Sequence, residues 1–195
     1  HRIIKASPFG GIKMRVITGT AKGKRLITPE GREVTRPTGD RVKEGIFSAI
    51  QFIIEGADVL DLFAGSGQLG IEALSRGARS AVFVDSSKDA QNCITENLKN
   101  CGFLSNAKLK TTDAALYLAG AFERFDIAFI DPPYAAQQLP VVLPAVSKVM
   151  RPGGVVFCET AKGIDLPEQA GSLVRIKEYR YGRTMVYSYR KEDEE

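Results

Sequence analysis

The run Val59-Leu60-Asp61-Leu62-Phe63-Ala64-Gly65-Ser66-Gly67-Gln68-Leu69-Gly70 constrains this chain more than any other stretch. An apolar segment ends in an acid, passes through a glycine turn and opens into a helical pattern, so it reads as strand, tight loop and helix start. Gly65 to Gly70 satisfies G-x-G-x-x-G. That match names no ligand by itself, because glycines between a strand and a helix also allow close packing. Asp61 adds the discriminating charge. At the carboxyl edge of a parallel sheet its carboxylate would repel a pyrophosphate and attract a cation or a hydroxyl.

From Ala57 onward the pattern alternates. Strands are predicted over 58–62, 80–85, 107–111, 125–131 and 154–160, and helices over 68–76, 87–100, 114–121 and 137–150. Such alternation calls for a parallel sheet covered on both faces. Leu173 to Tyr179 and Met185 to Tyr189 then flank Tyr181-Gly182-Arg183-Thr184 as a terminal antiparallel hairpin. The expected fold is α/β and Rossmann-like, a mostly parallel seven-stranded sheet ending in that hairpin. Before it, Arg15–Gly19 and Lys24–Thr28 read as two short strands joined by a turn. Val42, Ile46, Phe47, Ile50 and Ile53 recur at helical spacing after a Thr38 or Asp40 cap. The expected organisation is a leftover or frayed segment over 1–13, a basic hairpin and helix over 14–54, a catalytic domain over 55–190 and an acidic tail over 191–195. The helix is expected to hold the basic hairpin against the active face.

Absences narrow the chemistry. The single histidine is His1, so a histidine base or a histidine metal ligand is not expected. Cys93, Cys101 and Cys158 lack C-x-x-C spacing, which argues against a structural zinc site and suits unpaired thiols in a reducing cytoplasm. No apolar run approaches the roughly 20 residues of a membrane span. Charge is uneven: residues 1–46 hold eleven Lys and Arg against four Asp and Glu, whereas the remainder hold sixteen against nineteen. A basic arm on a mildly acidic body is the layout of a nucleic-acid contact joined to a catalytic domain, with a merely solvated face as the alternative.

Ligands in open α/β sheets bind beyond the carboxyl ends of the strands. Those ends present Asp61, Asp85, Asp113 and Asp131. Asp85 is placed to accept from a ribose diol, or else to cap the next helix. Asp113 could accept from an adenine amino group or cap its own helix. An acid at Asp61 meeting the ammonium of an amino-acid-bearing nucleoside favours S-adenosylmethionine over NAD. Asp131-Pro132-Pro133-Tyr134 is the most specific feature. Two prolines stiffen the backbone, remove two N–H donors and leave carbonyls as acceptors. An Asp131 carboxylate beside a Pro132 carbonyl suits a planar amine with two N–H bonds, and Tyr134 offers a face for its ring. The alternative is a rigid turn with a buried tyrosine.

At these residues the chain resembles class I S-adenosylmethionine-dependent methyltransferases that modify amino groups. Arg36-Pro37-Thr38, Asp40-Arg41-Val42, Gly19 to Lys24, Asp61 to Gly67 and Tyr181-Gly182 narrow the resemblance to the bacterial 16S ribosomal RNA (guanine-N2)-methyltransferase family, over roughly residues 14–190. The resemblance implies a class I methyltransferase fold, S-adenosylmethionine as cofactor and 16S rRNA within the small ribosomal subunit as partner. It implies cofactor contacts from Asp61, Phe63, Ala64, Gly65, Ser66, Gly67, Asp85, Ser86, Asp113, Ala114 and Thr38, and catalytic roles for Asp131, Pro132, Pro133 and Tyr134. RNA contacts fall to Arg15, Lys22, Lys24, Arg25, Arg36 and Arg41, where plain capping and surface charge are the alternative for Asp40 and Arg41. A cytoplasmic monomer without metal or membrane contact is expected. Some members carry Phe at the position of Tyr134, so its hydroxyl is not expected to be essential.

Other functions compete. An amino-methyltransferase on DNA adenine or cytosine would use the same notch but show a larger target-recognition segment. An NAD(P)-dependent oxidoreductase leaves Asp61 and the proline notch unexplained, and a non-enzymatic RNA-binding protein is a third alternative, which titration with S-adenosylmethionine separates from the rest. Charge reversal at Lys22, Lys24 and Arg25 is expected to weaken RNA binding, with the salt slope falling by about one unit for each phosphate no longer neutralised. Unchanged affinity and slope would remove the arm from the RNA grip.

Overall fold

The apolar runs become strands of one sheet. In a computed structural model that describes residues 14–29, 38–133 and 135–192, β1 (Asp58–Leu62), β2 (Ser80–Asp85), β3 (Ala107–Thr111), β4 (Phe125–Ile130) and β5 (Met150–Ala161) pair in parallel. Helices α2 (Gln68–Ser75), α3 (Lys88–Cys101), α4 (Ala114–Gly120) and α5 (Ala135–Ser147) connect them, and α1 (Thr38–Ala49) precedes them. Then β6 (Gln169–Ala170), β7 (Leu173–Tyr181) and β8 (Thr184–Lys191) join antiparallel, giving the order β3-β2-β1-β4-β5-β8-β7-β6. The order reverses direction between β1 and β4. The crevice beyond their carboxyl ends is where such a sheet places a ligand.

The predicted strands and helices stand within a few residues of these bounds, with three corrections. The sheet has eight strands rather than seven, because Gln169 and Ala170 add a two-residue edge against β7. Helix α1 ends at Ala49, and Ile53 lies outside it, half exposed, although it continues the apolar spacing. The two amino-terminal strands reduce to one antiparallel bridge between Arg15 and Arg25.

That third difference has a local cause. The arm spends its backbone donors on side chains of the body rather than on a ladder. Ile17 N and Thr18 N donate to the Glu72 carboxylate at 2.8 and 3.0 Å. Ala21 N donates to Ser75 Oγ at 3.0 Å, and Ile27 N to Asn97 Oδ1 at 2.8 Å. Cys93 Sγ donates to the Ile27 carbonyl, so this thiol helps to dock the arm as well as packing in the interior. Met14, Val16, Ala21 and Leu26 then complete the same apolar cluster as Val59, Phe83 and Phe129 on one sheet face. Helices α4 and α5 cover a second cluster on the other face.

Glu72 is 0% exposed, and Arg76 and Lys43 face it at 2.9 and 3.8 Å. Lys43 also donates to the Arg15 carbonyl at 2.8 Å. Burial pushes its ammonium below the ordinary lysine range, against the pull of Glu72 and Asp40. Glu72→Ala would strand two amides and a buried ammonium together, and is expected to cost about 3–5 kcal/mol. Chemical denaturation reads the loss, and faster hydrogen exchange at Ile17 and Thr18 locates it.

Candidate active site

Beyond β1 the chain reverses through left-handed backbone. Phe63 (φ 60°), Gly65 (φ 58°) and Gly67 (φ 75°) alternate with ordinary residues, and Phe63 is the one non-glycine with positive φ among the described residues. A bulky residue there is strained, and such strain persists only where the surroundings over-determine it. Here they do. Ala64 N donates to the Val84 carbonyl at 3.1 Å, Gly65 N to Asp85 Oδ2 at 2.9 Å and Gly70 N to Asp61 Oδ2 at 2.9 Å. Asn97 Nδ2 holds the Ser66 carbonyl at 2.9 Å, while Ser66 Oγ donates to Met14 Sδ. Gly70 serves packing: a Cβ there would lie 2.3 Å from the Phe83 ring, so α2 rests directly on β2.

Register aligns the acids. Leu62 pairs with Val84 on one side and with Ile130 on the other. One residue further on, Asp85 and Asp131 stand level with Phe63, and Asp61 shares their side of the sheet by the two-residue period. Asp61 is 2% exposed, and its carboxyl is pushed up to about 8. Burial is the main cause; the Gly70 amide opposes it, and the charges of Asp131 and Asp85 add to it. The charges of two carboxylates therefore reach the buried third at the switch point.

Two hollows meet at the proline turn. The larger, about 440 Å³, is walled by Asp131, Pro132, Pro133, Glu159, Thr160 and Thr184. The smaller is lined by Phe63, Asp85, Ser86, Asp113, Ala114 and again Pro133. Pro133 is thus a partition between an acid-rich slot above β1 to β3 and an acceptor-rich chamber above β4 and β5.

This geometry can be set beside known proteins. A family model described as "Conserved hypothetical protein 95" matches residues 14–190. The chain belongs to this family. Among its relatives is a Bacillus subtilis protein provisionally named an rRNA methyltransferase, YlbH, 40% identical over 91% of this chain and 99% of its own. Another is ribosomal RNA small subunit methyltransferase D of Haemophilus influenzae, 34% identical over 77% of this chain and 80% of its own. The solved structure of Escherichia coli yhhF, provisionally titled a methyltransferase, superposes with a TM-score of 0.83 at 27% identity, covering 93% and 99% of the two chains. The fold is that of the class I methyltransferases, as the motifs implied.

Within this family member the predicted residues do not all converge. Phe63, Asp85, Ser86, Asp113, Ala114, Asp131, Pro132 and Pro133 gather at the rim, whereas Asp61 is buried beneath it and lines neither hollow, although the charges of Asp131 and Asp85 reach it. Ala64, Gly65 and Gly67 are buried in the loop beneath it. The Ser66 hydroxyl is turned away, toward Met14. Asp113 caps α4, its Oδ1 accepting from Ala115 N and Leu116 N at 2.8 and 3.2 Å, while its residue still lines the smaller hollow. Asp85 likewise accepts from Ser87 N at 2.9 Å besides bracing Gly65. Tyr134, Arg36, the segment 1–13 and residues 193–195 of the acidic tail lie outside the described residues, as does the Thr38 side chain.

The cationic turn of the basic arm does not lie at the active rim, where its charge and the helix after it led us to expect it, although Met14 at the arm's start meets Ser66 of the glycine loop. Thr20 N donates to the Ser75 carbonyl at the far end of α2, and Asn100 Nδ2 to the Arg25 carbonyl near the end of α3. Lys24 acts on the Cys101 thiol there. The exposed Lys22, Lys24 and Arg25 therefore project about one helix length from the rim, on the order of 12 Å for α2. Arg15 and Arg41 are exposed as well. Sequence reasoning also passed over Glu159 and Thr160. The expected strand over 154–160 contains both, so no strand end singled them out.

Asp61 offers a direct check. A carboxyl that titrates near 8 in the fold and near 3.8 when unfolded favours the folded state in its protonated form. Its stabilising effect is complete below about 4 and is lost as pH climbs toward 8, at up to about 1.4 kcal/mol per pH unit. Asp61→Asn keeps an acceptor for Gly70 N without the charge. Denaturant unfolding of the cofactor-free proteins should show the variant gaining on the wild type between pH 5 and 7, and levelling above 8. A constant difference across that range would mean Asp61 is not buried as described.

Proposed function

We propose that this protein transfers a methyl group from S-adenosylmethionine to the exocyclic N2 of a guanine in the 16S rRNA of the small ribosomal subunit, in the cytoplasm. One observation carries the reading: Pro133 divides an acid-lined slot from a chamber bearing Asp131 and Pro132, so two reactants can meet across a stiff wall. The relatives named for rRNA methylation support it.

The residues present fit the cofactor. Asp61 already takes the Gly70 amide in the first turn of α2, where a pyrophosphate would need free N–H donors. The slot beside it offers carboxylates to hydroxyls and to a cation, with Phe63 as an apolar side. Asp61 would face the ammonium, Asp85 the ribose diol and Asp113 the adenine end. Bound there, S-adenosylmethionine supplies a methyl group already activated on a sulfonium, so the protein's task is alignment and charge placement.

The chain's own residues complete that task. An exocyclic amine is a poor nucleophile because its lone pair is delocalised into the ring. The Asp131 carboxylate and the Pro132 carbonyl accept its two N–H bonds and turn the developing lone pair toward the slot. As the new N–C bond forms, the nitrogen becomes acidic, and its proton passes to Asp131 or to water. No histidine base is required. The target base must leave its stack to enter the chamber, and Tyr134 would replace the lost neighbour.

Asp131→Ala is expected to lower methylation of unmodified small subunits by about 10²–10⁴-fold while leaving cofactor affinity intact. Labelled-methyl transfer and isothermal titration with S-adenosylmethionine measure the two effects. Near-normal turnover would refute the notch. Heat with NAD and none with S-adenosylmethionine would refute the cofactor.

A further inference from the structure

The β7–β8 hairpin turns at the same edge of the sheet as the site. β8 runs antiparallel to β5, and β7 antiparallel to β8, so β7 points the same way as β5 and brings its last residue, Tyr181, to the carboxyl rim. Ala161 at the end of β5 pairs with Thr184, and Thr184 pairs with Tyr181. β4 stops earlier. Its last partner on β5 is Cys158, so β5 runs on against β8 alone, and the 440 Å³ hollow opens where β4 ends. Ala161 and Thr184 are part of its wall.

Two cations stand one residue beyond that wall. Lys162 follows Ala161 and Arg183 precedes Thr184, and Lys162 N donates to the Arg183 carbonyl at 2.8 Å, which carries the pairing one step past the strands. Both residues are exposed. Gly163 (φ 95°) and Gly182 (φ 59°) turn the chain beside them, and a Cβ on either would meet nothing within 4 Å, so this edge is open. Like charges directly across a strand pair destabilise it. No acid relieves them here: among the described residues neither side chain makes an ion pair. Farther along the hairpin, Arg175 has Glu178, Asp165 and Glu168 at 3.1, 3.2 and 3.8 Å. Those three acids gather at Arg175, and the turn keeps its charge.

Helix α1 adds a third cation. Tyr181 packs so closely on it that a Cβ at Gly45 would lie 1.7 Å from the tyrosine hydroxyl. Arg41 is exposed and stands one helical turn before Gly45 on the same stripe. It too makes no ion pair among the described residues.

Building on the reading that an RNA base enters the larger hollow, we propose that Lys162, Arg183 and Arg41 hold the RNA phosphates beside the target nucleotide. A base that leaves its stack swings about its own backbone, so the ring enters while the flanking phosphates stay at the mouth. Cations one residue past the wall meet them there. Lys22, Lys24 and Arg25 stand over the far ends of α2 and α3, and would grip RNA farther from the target. Phosphate contacts carry no sequence information, but they fix where the RNA sits. The hairpin turn sets that position at the chamber, and the arm extends the grip.

Two measurements test this. In the first, wild type, Lys162→Gln and Arg183→Gln are bound to unmodified small subunits over a range of salt. Each variant is expected to flatten the slope of log affinity against log salt by about one unit, so that its deficit shrinks about tenfold for each tenfold rise in salt. Cofactor heat in isothermal titration is expected to stay unchanged. In the second, Arg183→Cys and Lys22→Cys each carry a photo-crosslinker on the introduced thiol, and the unsubstituted protein corrects for labelling at Cys101. Position 183 is expected to crosslink to nucleotides adjoining the methylated guanine, and position 22 to nucleotides farther away. Should one glutamine variant lose its cofactor heat, the other variant and the crosslinks still decide. Unchanged affinity and slope, or crosslinks from position 183 that miss the adjoining nucleotides, would overturn the clamp alone when the wild type methylates guanine. Failure of the wild type to methylate guanine would overturn the proposed function and the clamp together.

Discussion

A single buried carboxylate, Asp61, ties the end of the central strand to the first turn of α2 through the Gly70 amide. Three properties of the molecule depend on that bond. It seats α2 against Phe83, where only a glycine fits. It occupies a helix N-terminus that would otherwise attract phosphate. And it places an acid whose charge is opposed by its burial at the point where the sheet reverses direction. A cation reaching this slot relieves the opposition, whereas an anion meets it in full.

Around that bond the loop is held from every side. Asp85 grips Gly65, Val84 grips Ala64, and Asn97 grips the Ser66 carbonyl. These bonds keep Phe63 in a conformation that a bulky side chain would leave if free. Asn97 also bonds the Ile27 amide and carbonyl, so one side chain joins the glycine loop to the amino-terminal arm. The arm is therefore built into the body. Its buried anchor, Glu72, pairs with both Arg76 and Lys43 while accepting two arm amides. The exposed cations at the arm's turn stand over the far ends of α2 and α3, so a gripped RNA would extend along the side of the molecule as well as across the rim.

In the proposed reaction the chemistry is divided by geometry rather than by an acid–base pair. Pro133 separates the two hollows, and the unequal lengths of β4 and β5 open the second one. Positioning an amine between rigid acceptors, beside an electrophile that is already activated, leaves little for a general base to do. In that proposal, backbone stiffness at two successive prolines would take the place of side-chain machinery.

The alternation of strands and helices and the parallel sheet it makes were legible in the sequence, because buried parallel strands must be continuous apolar runs and their helices must repeat every 3.6 residues; the order of the strands was not. The strand-end acids and the proline notch were legible for the same reason, since strand periodicity says where a strand stops and which residues stand just beyond it. Three things needed the tertiary structure. Glu72, Lys43 and Asn97 look like ordinary helix-surface residues until the arm folds over them and removes their water. Lys22 and Lys24 have the charge of an RNA contact, but their distance from the rim depends on which end of α2 the arm reaches. Glu159 and Thr160 line the larger hollow only because β4 ends before β5. That difference in length lies between two strands about 20 residues apart in sequence, and no local pattern within either strand records it.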